Sequence, residues 1–397
     1  MKIILRNIIK YKLYYLLGLI FFIVNFKNGR FYDVSIPVYI LFFMDNSVYI
    51  ASVLMLLSLI LNLTKILKKN KISSGVFFFF LFQAVVILSS KEKIDVILQR
   101  MIFLLIVFYY FIYVVSTLKL SDIILAICCG IFLHTLINFI CYFYFPSLFS
   151  GGRLSGISGH PNYTGIVSAF SITFSLYYLL FQMQKRSWFL IMVCIIMVCI
   201  GISVCIFSDS RNSIGMILVS LFYFLFCKVE NNSLKILIIA IILLLLLILF
   251  NLNLRLEDID YTGRSFNRDK TWAILMKEAM QFNLFGIGRI DINATANSYL
   301  FAIAASGIIG AIFFFLSIYE IIKKYFIEHK RKYLNHIILF RSLILTMAFS
   351  ALLEGFLLDQ ISIPVYLYWF LLVININGKI YVIKKKGTEN SISHRGS

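Results

Sequence analysis

Six arginines, Arg153, Arg211, Arg255, Arg264, Arg268 and Arg289, stand among polar and glycine-rich stretches of a chain that is otherwise mostly apolar. Arginine presents a rigid fork of donors that grips phosphate oxygens two at a time, so several of them on one side of a protein point to an anionic partner such as a pyrophosphate. Contact with lipid headgroups is the simpler account of any one of them. Arg153 lies in the run Gly151-Gly152-Arg153-Leu154-Ser155-Gly156-Ile157-Ser158-Gly159-His160-Pro161-Asn162-Tyr163-Thr164-Gly165. Its glycines allow close approach of backbone to a ligand, and Pro161-Asn162 marks a turn or the start of the next helix. A plain helix connection would use the same residues. Arg211 follows Ser208-Asp209-Ser210 between two apolar segments, where Ser210 or Asp209 could cap the following helix. Placed there, its charge adds to the positive helix end and favours a bound anion, unless it merely pairs with Asp209.

A third series is Gly263-Arg264, Trp272, Asn283-Leu284-Phe285-Gly286-Ile287-Gly288, Asn297-Ser298-Tyr299-Leu300 and Ser306 to Gly310. Ala302, Ser306 and Gly310 recur at i, i+4 and i+8, the stripe of a close helix interface. For a general base, Glu354 comes first, because a carboxylate in an apolar stretch of a membrane protein is costly enough to imply a function; pairing with an arginine is the alternative. His160 comes second, competing with an ordinary turn role. Asp209 and Asp359 are weaker candidates.

The elements that must position these groups are membrane helices. Of 397 residues, 61% are hydrophobic and 14% charged, against roughly 45–50% and 25% in a soluble domain. The formal charge of +19 is dispersed over short connections between apolar runs rather than gathered on one face, which suits membrane orientation and not nucleic acid. The seven cysteines all fall inside apolar runs and read as small core residues. Apolar windows of about 20 residues place helices near 10–25, 46–64, 73–89, 101–117, 121–145, 162–182, 188–207, 211–227, 234–252, 297–321, 337–357 and 361–377, about twelve in a range of eleven to thirteen. Residues 36–44 are too short to span and suggest an interfacial or re-entrant piece. With both termini cytoplasmic, basic residues favour the inner connections. The exception is residues 254–292, a long outer loop between the ninth and tenth helices, which long loops are free to be. Within it Trp272, Leu275, Met276, Ala279 and Met280 recur at helical spacing, as in an amphipathic helix at the interface. Residues 323–332 and the basic tail 384–397 read as anchors to anionic lipid. The chain is one integral membrane domain.

The segment from Arg153 to Asn162, Ser210-Arg211, and the ordered series from Gly263 to Gly310 resemble the O-antigen and capsular polysaccharide polymerases (Wzy type) and the related O-antigen ligases. The resemblance implies a GT-C-like fold in the bacterial plasma membrane, working without metal or cofactor on undecaprenyl-pyrophosphate-linked glycans at the outer leaflet. It implies that Arg153, Arg211 and Arg264 hold the pyrophosphate, with Asn162, Trp272, Arg289 and Asn297 as further substrate contacts. A chain-length regulator and a flippase of the same pathway are its expected partners. Ala296 departs from the histidine that ligases carry before the matching Asn297, which favours a polymerase over a ligase and leaves the base to Glu354 or His160. A lipid-linked oligosaccharide flippase, with arginines lining a path, is the alternative of another class.

Overall fold

The computed structural model describes residues 2–26, 36–62, 73–115, 118–150, 152–182, 188–231, 233–234, 268–281, 283–288, 297–328, 335–356 and 362–374. Its helices are α1 (Lys2–Ile23), α2 (Val38–Leu61), α3 (Ser74–Leu88), α4 (Ile94–Tyr113), α5 (Leu120–Tyr144), α6 (Pro161–Phe181), α7 (Trp188–Phe207), α8 (Arg211–Lys228), α9 (Arg268–Met280), α10 (Ser298–Ile322), α11 (Asn335–Leu353) and α12 (Ile363–Val373). Among the described residues eight helices are long and apolar enough to cross a membrane, and α1, α3 and α12 contribute shorter apolar stretches. The chain is an all-α, multi-pass membrane protein. The expected helix at 234–252 beyond its first residue, about half of the long loop and the basic tail lie outside the described residues. The stretch from residue 36 is no separate interfacial piece: Val38 to Met44 are the opening turns of α2.

The ends of the helices fall into two groups. Phe26 after α1, Met44 in α2, Cys141 in α5, and Leu148 and Ile157 beyond it form one apolar cluster. At the opposite end the Asn62 amide donates to Tyr113 O at 2.6 Å, and Asn335 donates to Phe181 O at 3.0 Å. Successive helices therefore alternate in direction, as spanning helices joined by short connections must. Helix α12 sits at the hub, with Ile363 to Leu372 all buried, as befits a helix apolar all round. Its Trp369 packs edge-on to Phe79 of α3 at 4.9 Å between ring centroids and is stacked with Phe111 of α4 at 6.1 Å. Lys324 is not a lipid anchor: it turns inward and caps α12, donating to Leu371 O at 2.9 Å and Leu372 O at 3.0 Å. Cations suit the negative end of a helix. Of the cysteines, Cys128, Cys141, Cys194 and Cys205 are buried as expected, while Cys129, Cys199 and Cys227 are exposed.

Helix α10 is broken where the sequence suggested only a packing stripe. Gly307 has φ 64° and ψ −165°, a region essentially closed to residues with a Cβ. Residues 283–288 fill the break. Asn283 O accepts from Ile308 N at 3.0 Å and Leu284 O from Ile309 N at 3.3 Å, while Ile287 N donates to Ala304 O at 3.0 Å and Gly288 N to Ala305 O at 2.9 Å. The two half-helix ends are thus satisfied by backbone, the condition under which irregular chain is tolerated in a membrane protein. A Cβ on Gly307 would lie 2.6 Å from Asn283 O. Gly310 retains its packing role against Val85 of α3. The expected amphipathic helix exists as α9, packed against α10. Leu275 is its buried residue and Trp272 and Ala279 are half-buried. Met276 and Met280 are exposed instead, so the inward face is narrower than the spacing implied.

Gly307→Ala should lower stability by roughly 3 kcal/mol, strain and clash combined. Gly152→Ala shares the positive φ but meets open space, and should cost about 1 kcal/mol. Thermal unfolding in detergent distinguishes the two.

Candidate functional site

The run from Phe145 to His160 folds back on the bundle instead of simply linking α5 to α6. Phe149–Ser150 pairs with Arg153–Leu154 in a two-stranded antiparallel ribbon, and a 3-10 turn follows at Gly156–Ser158. Two polar side chains of α5 hold it down. Asn138 Oδ1 accepts from Ile157 N at 2.9 Å, and His134 Nε2 lies 2.9 Å from Ser158 Oγ while its Nδ1 lies 2.9 Å from Phe22 O of α1. Both are fully buried, so their hydrogen bonds are made without competition from solvent. Thr164 adds a short bond to Ser155 O.

This fold-back presents Arg153 to the α7–α8 turn. Arg153 Nε donates to Ser208 O at 3.0 Å, and Nη2 donates to Asp209 O at 2.8 Å and to Asn162 Oδ1 at 3.0 Å. The Asp209 carboxylate is 4.0 Å from Nε. Asp209 has φ 44°, a left-handed conformation that a residue with a Cβ takes only when its surroundings enforce it. Asn162, in the first turn of α6, continues the chain of bonds: its Nδ2 donates to Glu354 Oε1 at 2.6 Å. Glu354 follows the last residue of α11, and its own carbonyl accepts from Ser298 Oγ of α10 at 2.6 Å. Arg153, Asn162 and Glu354 are thereby one connected unit drawn from the α5–α6 connection, α6 and the end of α11.

Six described helices, α2, α4, α6, α8, α10 and α12, begin at this end; the starts of α2 and α4, after Pro37 and Lys93, carry no side-chain cap among the described residues, and the other four differ among themselves. His160 Nδ1 accepts from Asn162 N at 3.2 Å at the start of α6. Asn297 Oδ1 accepts from Tyr299 N and Leu300 N at the start of α10. Ser362 Oγ accepts from Val365 N at the start of α12. Helix α8 has no side-chain cap: Ser210 occupies the cap position without bonding, its hydroxyl receiving Ser213 Oγ at 2.6 Å instead. Arg211 is exposed at the first position of this helix. Beside it Asn212 is buried, its Nδ2 donating to Ser350 Oγ of α11 at 2.8 Å, and among the described residues its Oδ1 has no partner. Gly165 makes the close approach of α6 to α8, since a Cβ there would overlap Ser210 and Ser213.

Several sequence expectations change in this light. His160 caps a helix through Nδ1, which in the neutral ring leaves the proton on Nε2. Asn297 caps α10, and Asn162 bridges Arg153 and Glu354. Trp272 is half-buried on α9. Arg264, Arg289, Ala296 and Asp359 lie outside the described residues. Ser350, His134 and Asn138 carry contacts that the motifs did not point to. Their signal was present in the sequence as polar residues recurring four apart within apolar runs, such as His134 and Asn138. No protein-family model matches this chain, and no significant match to a curated protein is found.

Asp209→Gly should leave stability unchanged or raise it by up to about 1 kcal/mol, because relief of the left-handed strain outweighs an ion pair open to solvent. Arg153→Ala, which strips two backbone carbonyls and Asn162 of their donor, should lower it by roughly 2–3 kcal/mol. Opposite signs in chemical or thermal unfolding check the assignment.

Proposed function

We propose that this chain is a membrane glycosyltransferase that polymerises a polysaccharide, moving a growing glycan from undecaprenyl pyrophosphate to a lipid-linked repeat unit at the outer leaflet of a bacterial plasma membrane. The observation that carries the reading is the uncapped start of α8, headed by exposed Arg211 and adjoining the Arg153–Asn162–Glu354 unit. A helix start without a side-chain acceptor offers N–H groups and a positive dipole end to an anion, and a cation at its first position strengthens the offer. The starts of α6, α10 and α12 fill that position with their own side chains, whereas those of α2 and α4 are uncapped like α8 but do not adjoin the Arg153–Asn162–Glu354 unit.

In this reading the anomeric C–O bond to the pyrophosphate breaks and a C–O bond to the acceptor hydroxyl forms. The hydroxyl proton passes to the Glu354 carboxylate, and the departing diphosphate is stabilised at Arg211, with Arg264 on the long loop as a second cation. Arg153, with three donor contacts to protein acceptors, supports the site more than it grips the substrate. A GT-C-like arrangement, about twelve spans, cytoplasmic termini, and association with a chain-length regulator and flippase belong to the same proposal. A ligase reading shares the chemistry, and Ala296 speaks against it.

A flippase is disfavoured by α10. Broken helices in transporters leave half-helix ends to meet ions or substrate, whereas the break at Gly307 is closed by residues 283–288.

Arg211→Ala and Glu354→Gln should each reduce polymer formation about 10²-fold or more while single lipid-linked repeat units accumulate and the protein stays in the membrane. Gel analysis of extracted glycolipid reads the result. Long polymer at normal levels in both variants would overturn the site, and thiol labelling that reached a cysteine at position 209 only from the cytoplasm would overturn the orientation.

A further inference from the structure

We infer that Asn162 is a positioning residue whose side-chain amide, oriented by Arg153 at its oxygen, holds the Glu354 carboxylate at its nitrogen. The inference rests on the polymerase reading and assigns within it the part that makes the base effective.

The orientation of the amide is decided by chemistry. Arg153 can only donate, so the amide oxygen must face it; an ionised carboxylate can only accept, so the amide nitrogen must face Glu354. Both contacts are at bonding distance, 3.0 Å to Nη2 and 2.6 Å to Oε1. The backbone of Asn162 is fixed as well, its N–H donating to His160 Nδ1. Arg153 in turn is anchored to Ser208 O and Asp209 O, and Glu354 is steadied from α10 by Ser298. The geometry of the α7–α8 turn is thus passed through one amide to a carboxylate on α11, 192 residues further along the chain. Catalysis by a positioned carboxylate depends steeply on its placement; a misplacement of about 1 Å costs on the order of 10²-fold. Among the described residues, the ends of the elements around Glu354 carry Arg153, Asp209, Arg211, His160, Tyr163 and Tyr299, and Asn162 bonds the Arg153 side chain and the His160 ring.

The test uses the full-length chain reconstituted in vesicles, with the single lipid-linked repeat unit extracted from cells lacking this chain as substrate. Asn162→Ala should lower kcat by roughly 10- to 100-fold and leave KM within about two-fold. Combined with Glu354→Gln it should add no further loss, because the amide acts through that carboxylate. Asn162→Asp keeps the side chain's size and sets two carboxylates against each other. Once both are ionised they repel and no donor faces Glu354, so this variant should stay as slow as Asn162→Ala as pH rises, and it carries the test where Asn162→Ala does not yield folded protein by gel filtration; full activity at high pH would overturn the inference. A raised KM with kcat intact would make Asn162 a substrate contact and overturn the inference, as would losses that multiply in the double variant. Failure of the wild-type chain to extend the repeat unit would overturn the polymerase reading instead.

Discussion

The hydrogen bonds of Arg153 to the α7–α8 turn are the constraint on which the rest of this end of the molecule depends. A helix that ends at a membrane surface leaves carbonyls without intrahelical partners, and Ser208 and Asp209 are such residues, the second in a left-handed conformation. One guanidinium satisfies both carbonyls and holds Asn162 besides. Remove it, and the turn has no reason to keep Asp209 where it is. Arg211 would then no longer be fixed at the head of α8, and Asn162 would lose the contact that tells its oxygen from its nitrogen.

The segment that delivers Arg153 is itself held by a buried layer. His134 and Asn138 are one turn apart on α5, and between them they bond α1, the 3-10 turn and their own helix. Polar groups inside an apolar bundle are tolerable only when bonded, and once bonded they admit few alternative arrangements. The aromatic hub around Trp369 does the complementary work of fixing α12 against α3 and α4 without polar groups. Rigidity at the candidate site therefore comes from a small polar layer above a largely aromatic one.

Hydropathy made most of this fold legible. Apolar windows located every described helix except α9, which spacing alone revealed, because a membrane imposes length and composition on a span more strictly than water does on a soluble helix. Interruptions were less legible. Ser306-Gly307-Ile308-Ile309-Gly310 suits a packed interface and a chain break equally well, and the difference lies in residues 283–288, which supply the missing hydrogen bonds from elsewhere in the chain. Lys324 shows the same limit: a basic run beside a span reads as a lipid anchor, yet this lysine answers carbonyls at the end of α12. At the candidate site the residue types Arg153, Asn162, Arg211 and Glu354 were readable, but their connections were not, since a contact between Asn162 and Glu354 leaves no local trace.

The contrast among helix starts gives the site its direction. Asn297, His160 and Ser362 each turn a side chain back on their own helix. Had Ser210 done the same, Arg211 would be one more surface cation of the kind that lipid headgroups explain. Its hydroxyl receives Ser213 instead, and buried Asn212 points its amide nitrogen to Ser350 of α11. Helix α8 is thus pinned from its second residue inward, to the same helix whose end carries Glu354, while its first turn stays without a side-chain acceptor. A cationic helix start and a carboxylate are held in fixed relation, through α11 on one side and through Arg153 and Asn162 on the other. That double tether is what distinguishes this corner from the other charged residues at the bundle's surface.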